Sequence, residues 1–245
     1  MHDITFNGVH SKDIGIRIER SPAIIRPRRK FDVISVPGRN GDVVLMQDAW
    51  ENYIQAYDIF FGDGTDLSAE SAANAVSNWL HSANGYAMLV DTFEWPYYRM
   101  AYYVDELDIE NALTEYGRAT IRFNCRPERF YQDTSSNITS GQTVTNNYQF
   151  ASRPIITFNG VGQWSGTLSV TNGTHEYKVE FTSVYGALTL NCEEQNAYHG
   201  STNLNSKVKV LIGDEFPRLY PGANVISWTM SSVSSATLNP RWFII

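Results

Sequence analysis

The residues of this chain that could do chemistry are, first, its carboxylates. The stretch "YVDELDIEN" carries Asp105, Glu106, Asp108 and Glu110, and Glu193-Glu194 follow Cys192, with His199 a few residues on. Two carboxyl groups flanking a glycosidic bond are the equipment of a sugar-cleaving enzyme, and a paired Cys and His that of a nucleophilic hydrolase. Strand alternation, however, puts Val104, Glu106, Asp108 and Glu110 on one face and Asp105, Leu107 and Ile109 on the other. That is a solvated acidic face, since nothing around it predicts a raised pKa. Glycines could instead cradle a phosphate, which requires them to lead straight into a helix. "GRNGD" leads into a strand, and "GVGQWSG" has its third glycine one position late and no helix after it. His2, His10, His81, His175 and His199 are scattered, without a His-x-x-x-His pair or a Cys-x-x-Cys step. The acidic "DGTDLSAE" misses the alternating oxygen ligands of a calcium loop, and Asp66 and Glu70 suit a helix N-terminus instead. The expectation is a protein with no catalytic residues, no metal and no cofactor.

Composition narrows the remaining classes. With 19 Lys and Arg against 26 Asp and Glu the formal net charge is −7, which disfavours a duplex-binding protein, because such proteins cluster cations to displace counterions. The one basic cluster, "RPRRK" from Arg26 to Lys30, reads as a charged strand edge that discourages stray pairing. No apolar run is long enough to span a bilayer, and the N-terminal "MHDITFNGVH" does not look like an export signal. Cys125 and Cys192 are therefore expected as buried thiols in a reducing compartment, and the Asn137 and Asn172 glycosylation sequons carry little weight. An aromatic share of 13%, with 14 Tyr, 12 Phe and 6 Trp, favours strands, where flat side chains fit a pleated surface.

The elements follow. "ITFNGVH" reads as a strand closed by a tight Asn7-Gly8 turn. "FDVISV" and "DVVLM" flank "VPGRNGD", where Pro37, Gly38, Arg39, Asn40, Gly41 and Asp42 supply two successive turn signals. One helix is expected, capped by Ser68, with Ala72, Ala75, Val76, Trp79, Leu80 and Ala83 on one face and Asn84-Gly85 after it. In "YGRATIRFNCRP", Ala119, Ile121 and Phe123 alternate inward. From Gln132 to Asn147 the chain turns polar and small, reading as a linker or a linker plus a weak strand. Residues 1–132 and 133–245 are the expected domains. The second holds seven short strand patterns and no helix, the signature of a β-sandwich, with Trp228 in its core. "ITFNGV" occurs at Ile4 and again at Ile156, read as two strands ending in the same turn.

Taken in order, "VPGRNGDVVLMQDAWENYIQAYDIFF", with its Pro-Gly-Arg-x-Gly turn and the Trp50-Glu51-Asn52 step, resembles the distal tail protein (Dit) family of long-tailed phages infecting Gram-positive bacteria. The C-terminal "EFPRLYPGANVISWTMSSVSSATLNPRWFII" resembles the end of the same family, a Pro-Gly-x-Asn turn before a Trp strand and a close on Pro-Arg-Trp. The resemblance implies a mainly β fold: a tail-tube-like, β-sandwich-like N-terminal domain with one flanking helix, and a galectin-like C-terminal β-sandwich. It also implies a homo-hexameric ring at the virion tail tip, assembled in the bacterial host cytoplasm, with a channel for DNA. The partners would be ring neighbours, the tail tube protein and the hub or tail-associated lysin protein; in some relatives the outer domain also holds receptor-binding proteins. On this reading the "VPGRNGD" tip meets another protein, and Glu106, Asp108 and Glu110 are candidates to face the lumen, against an ordinary solvated face. The alternative is a carbohydrate-binding module contacting the host cell wall. Against it, Asn239-Pro240-Arg241 has Thr237 where galectins place a His, and no Trp-x-x-Glu follows.

Overall fold

The computed structural model describes residues 3–61, 69–105, 110–113, 116–132 and 134–245. It divides into two compact units, residues 1–132 with Ile245, and residues 133–244. The fold is mainly β, with one α-helix among the described residues.

The first unit contains β1 (Ile4–Phe6), β2 (Val9–His10), β3 (Ile16–Ile18), β4 (Arg29–Ile34), β5 (Val43–Trp50), β6 (Tyr53–Phe61), α1 (Ala69–Leu80), β7 (Ala87–Asp91), β8 (Tyr97–Tyr103), β9 (Glu110–Leu113) and β10 (Tyr116–Tyr131). Seven strands form an antiparallel sheet in the order β2-β1-β7-β8-β10-β6-β3, and β9 also pairs with β10. Asn7 and Gly8, both with positive φ, close the β1–β2 turn. Alternation decides the core: Tyr53, Tyr57 and Ile59 of β6, Ile121, Phe123 and Cys125 of β10, and Leu89 of β7 all point to one side. Val76, Trp79 and Leu80 of α1 complete that core, and the Trp79 indole donates to the Phe6 carbonyl at 3.2 Å. The helix periodicity therefore placed the right face inward. Ser68, its expected cap, lies outside the described residues.

The second unit contains β11 (Ser136–Ile138), β12 (Gln142–Asn146), β13 (Ile155–Asn172), β14 (His175–Asn191), β15 (Asn196–His199), β16 (Thr202–Asn203), β17 (Val208–Ile212), β18 (Gly222–Trp228) and β19 (Ala236–Asn239). The stretch read as a linker, or a linker plus a weak strand, supplies two of these strands. Four of the expected short strands are in fact two long ones, because β13 and β14 run on through positions that look like turns. Their first halves and second halves serve different neighbours: Ile155–Phe158 pair with β19, whereas Leu168–Thr171 pair with β18. The register shifts between Asn159 and Gln163 and between Trp164 and Gly166, and such bulges let a strand bend from one layer into the next. The second "ITFNGV" accordingly does not end in a turn. A side-chain carbon on Gly160 would stand 2.1 Å from the Trp164 indole nitrogen, so glycine is required there for the ring to pack. Phe158, Trp164, Phe181 and Trp228 meet edge to face in the core.

Candidate functional site

Strands β4 and β5 pair only with each other among the described residues and form a two-stranded sheet separate from the main one. Their register sets Phe31 opposite Met46 and Val33 opposite Val44, with Asp32–Leu45 and Ile34–Val43 between. Paired residues share a face. Phe31, Val33, Val44 and Met46 therefore make one continuous apolar face, and they are 41%, 53%, 54% and 59% exposed. The opposite face holds Ile34, Leu45 and Val43 with an Asp32 carboxylate that accepts from Gln47 at 2.7 Å. A two-stranded hairpin by itself is marginally stable in water, and here it leaves apolar side chains exposed on both faces and a free edge on each strand. Among the described residues this is an exposed apolar surface that no other strand covers.

The tip carries the sequence-predicted residues. Val36 accepts from the Arg39 N–H at 3.1 Å, and Gly38 has φ +81°, the geometry of a type II turn with Pro37 leading it. Gly41 has the same φ, with open space where a side-chain carbon would stand. Pro37, Gly38, Arg39, Asn40, Gly41 and Asp42 are all exposed. At the base of the hairpin the basic cluster is neutralised locally. Arg26 pairs with Glu94, Arg28 with Glu51 and Arg29 with Asp48, at 3.1, 2.8 and 3.4 Å. The Trp50-Glu51-Asn52 step lies beside it: the Glu51 N–H donates to the Arg28 carbonyl at 2.8 Å, and the Asn52 amide donates to the Tyr86 hydroxyl and to Asn124.

Among the described residues the remaining candidates do not gather into a site. Glu106 and Asp108 lie outside the described residues, and Glu110 is described only by its backbone, in β9. Asp105 forms an ion pair with Arg122 at 2.9 Å. Glu193 is 3.7 Å from Arg153, which also holds Glu215 at 3.1 Å, so both carboxylates are engaged by the same guanidinium. Cys192 is fully buried and His199 exposed, and burial pushes the Cys192 thiol well above its ordinary range. Asn172 donates to the Pro221 and Ala223 carbonyls. Thr237, in the position galectins give to a His, donates to Asn137 at 3.1 Å, and Trp228 is buried with its indole donating to Val233. Among the described residues no group of three His, Cys, Asp or Glu could hold a metal ion.

One polar centre escaped sequence reading altogether. In the core of the first unit Arg99 donates to the Tyr53 hydroxyl at 2.7 Å, lies 3.8 Å from Asp91 and pairs with Glu94. Asp91 accepts from the Tyr57 hydroxyl and the Phe93 N–H, each at 2.8 Å. Burial, reinforced by the Asp91 charge, pushes the Tyr57 phenol well above its usual pKa, so it stays a donor. The clue was available: Arg99 falls on the inward parity of "YYRMAYY". A small cavity lined by Ser21 to Ile24, Gln55, Phe93 and these acidic and basic groups adjoins it. Asp91 and Glu94 both pair with Arg99, so the arrangement ties β7, β8 and β6 together.

Several solved structures share this fold. The SPP1 Dit protein, a paradigm of the hub adsorption apparatus in phages infecting Gram-positive bacteria, matches with a TM-score of 0.66 at 13% identity, over 97% of this chain and 98% of its own. A chain of the phage P2 baseplate in its activated conformation with Ca matches with a TM-score of 0.61 at 10% identity, over 97% of this chain and 96% of its own. The same baseplate with Sr gives 0.60, again at 10% identity. No protein-family model matches the chain, and no curated protein matches it by sequence.

Proposed function

We propose that this protein is the structural hub of a phage tail tip, a ring of six copies that joins the tail tube to the tip or baseplate proteins and leaves a channel for DNA. The N-terminal units form the ring, and the C-terminal, galectin-like units lie outside it, available to receptor-binding proteins. The tail tube protein and the hub or tail-associated lysin protein are its neighbours along the tail. It acts by assembly rather than by catalysis, with no cofactor and no specific grip on nucleic acid.

The observation that carries this reading is the β4–β5 hairpin. Its apolar face of Phe31, Val33, Val44 and Met46 is 41–59% exposed, a patch of the kind that marks a contact surface, and a closed head-to-tail ring would cover every copy's arm with a neighbour. The fold shared with the SPP1 Dit hub supports the same reading. Light scattering and electron microscopy of the purified protein test it. Six-fold rings are expected, and the Val33→Lys, Val44→Lys double variant should remain folded but monomeric. A wild-type protein that stays monomeric over a wide concentration range, with no rings on grids, would overturn it.

A second reading, a carbohydrate-binding module in the C-terminal unit, is favoured by Tyr185. It is 78% exposed and sits across from Gln163 on the outward side of β13 and β14, an aromatic ring beside an amide. Binding of cell-wall polysaccharide that Tyr185→Ala abolishes would support it; no binding to a glycan panel would remove it.

A further inference from the structure

The chain contains five Asn-Gly steps, at Asn7, Asn40, Asn84, Asn159 and Asn172. Such a step can rearrange without a catalyst, because glycine has no side chain to keep its own backbone nitrogen from the preceding amide. The fold restrains three of the five. Asn7 donates from its amide to Ser82 and from its backbone to Met88. Asn159 of β13 pairs with Ala187 of β14, and Gly160 is packed against Trp164. The Asn172 amide is held by two carbonyls. Asn84 lies in the short turn between α1 and β7, anchored through Ser82 by Asn7. Asn40, like Asn84, is exposed, with no side-chain hydrogen-bond partner among the described residues and open space at the following glycine. It differs in its place, at the tip of the β4–β5 hairpin, whose strands pair only with each other among the described residues.

We propose that Asn40-Gly41 is a site of spontaneous succinimide formation and deamidation in the unassembled chain. The Gly41 N–H gives its proton to solvent base and its nitrogen attacks the Asn40 side-chain carbonyl carbon. The bond from that carbon to the amide nitrogen breaks, and ammonia leaves with a proton from solvent. Water then opens the five-membered ring at either carbonyl, leaving aspartate or isoaspartate. One water is consumed and one ammonia released, with no change of oxidation state. The tip, where Arg39 and Asp42 carry opposite charges, gains a negative charge. The isoaspartate form also lengthens the backbone inside a turn that two positive-φ glycines define. The chemistry is independent of what the protein assembles into; only its consequence, an aged arm that fits its neighbour less well, rests on the ring reading.

The test is peptide mapping by mass spectrometry of the full-length Val33→Lys, Val44→Lys protein, expected as a folded monomer, incubated in mildly alkaline buffer and sampled over time, with isoaspartate measured by methyltransferase labelling. Position 40 should convert first, ahead of Asn84, with Asn7, Asn159 and Asn172 unchanged. Gly41→Ala should slow it several-fold, and Asn40→Gln should abolish it. An Asn40 that persists in the folded protein while a urea-unfolded sample converts it would overturn the proposal, as would Asn84 converting first. Oligomeric state, read separately by light scattering of fresh Asn40→Asp and wild-type protein, reports on the ring without bearing on the chemistry.

Discussion

Replacing Asp91 with alanine isolates what the buried polar centre contributes. Asp91 is 1% exposed; it accepts hydrogen bonds at 2.8 Å from both the Tyr57 hydroxyl and the Phe93 N–H, and it lies 3.8 Å from an Arg99 guanidinium that is itself 3% exposed. Removing one member of a buried pair costs about 3–5 kcal/mol, because the other charge is left uncompensated. Arg99 keeps Glu94 and Tyr53, so the lower end, about 3 kcal/mol, applies. Against a typical total of about 5–15 kcal/mol that is a large share. Tyr57→Phe removes one hydrogen bond to a charged acceptor and should cost about 1.5–2 kcal/mol, and Asp91→Asn should fall between the two. With two compact units a single unfolding free energy is not defined, so the assay is native-state hydrogen exchange resolved by peptide. The slowest amides of β6, β7 and β10 should exchange roughly a hundredfold faster in Asp91→Ala, while those of β13 and β14 stay as they were. A change below about tenfold in the first unit, or an equal change in the second, would refute the argument that this cluster carries the stability of its sheet.

Three further outcomes are expected. Burial pushes the Cys125 thiol to about 12 and the Cys192 thiol higher still; neither should react with iodoacetamide at neutral pH until the protein is unfolded, and labelling of the folded protein would contradict their burial. The Thr120 hydroxyl, against the cost of partial burial and aided by Arg20, holds Asp58 below the usual carboxylate range. A depressed folded value stabilises above the unfolded pKa of about 3.9 and is lost as pH falls through the folded value. The urea midpoint of Asp58→Asn should therefore lie below wild type at neutral pH and converge with it in acid; a gap that widens in acid would reverse the assignment. In the second unit, Gly160→Ala drives a carbon into the Trp164 ring at 2.1 Å and should cost about 1–3 kcal/mol. Calorimetry should show only one of two transitions shifted, and an unshifted scan would mean the ring can move aside.

Local chemistry alone determined the elements whose pattern is short-range. The period of Val76, Trp79 and Leu80 marked the face that α1 buries, the alternation of Ile121 and Phe123 marked the inward side of β10, and Asn7-Gly8 and Pro37-Gly38 marked turns, because glycine relieves the steric penalty on positive φ. Periodicity could not tell that Asn159-Gly160 lies within a strand, since that depends on a tryptophan ring packing over a missing side chain. Nor could it pair Arg99 with Asp91, Glu94 and Tyr53, which come together only when β8 aligns with β7 and β6 packs close by. The hairpin divides the two levels most clearly. Its strands and tip were legible from "FDVISV", "VPGRNGD" and "DVVLM", yet the same alternation of Phe31 and Val33 would serve a buried face equally well. Only the tertiary structure leaves that face exposed and without a partner strand among the described residues, because the main sheet is completed by other strands.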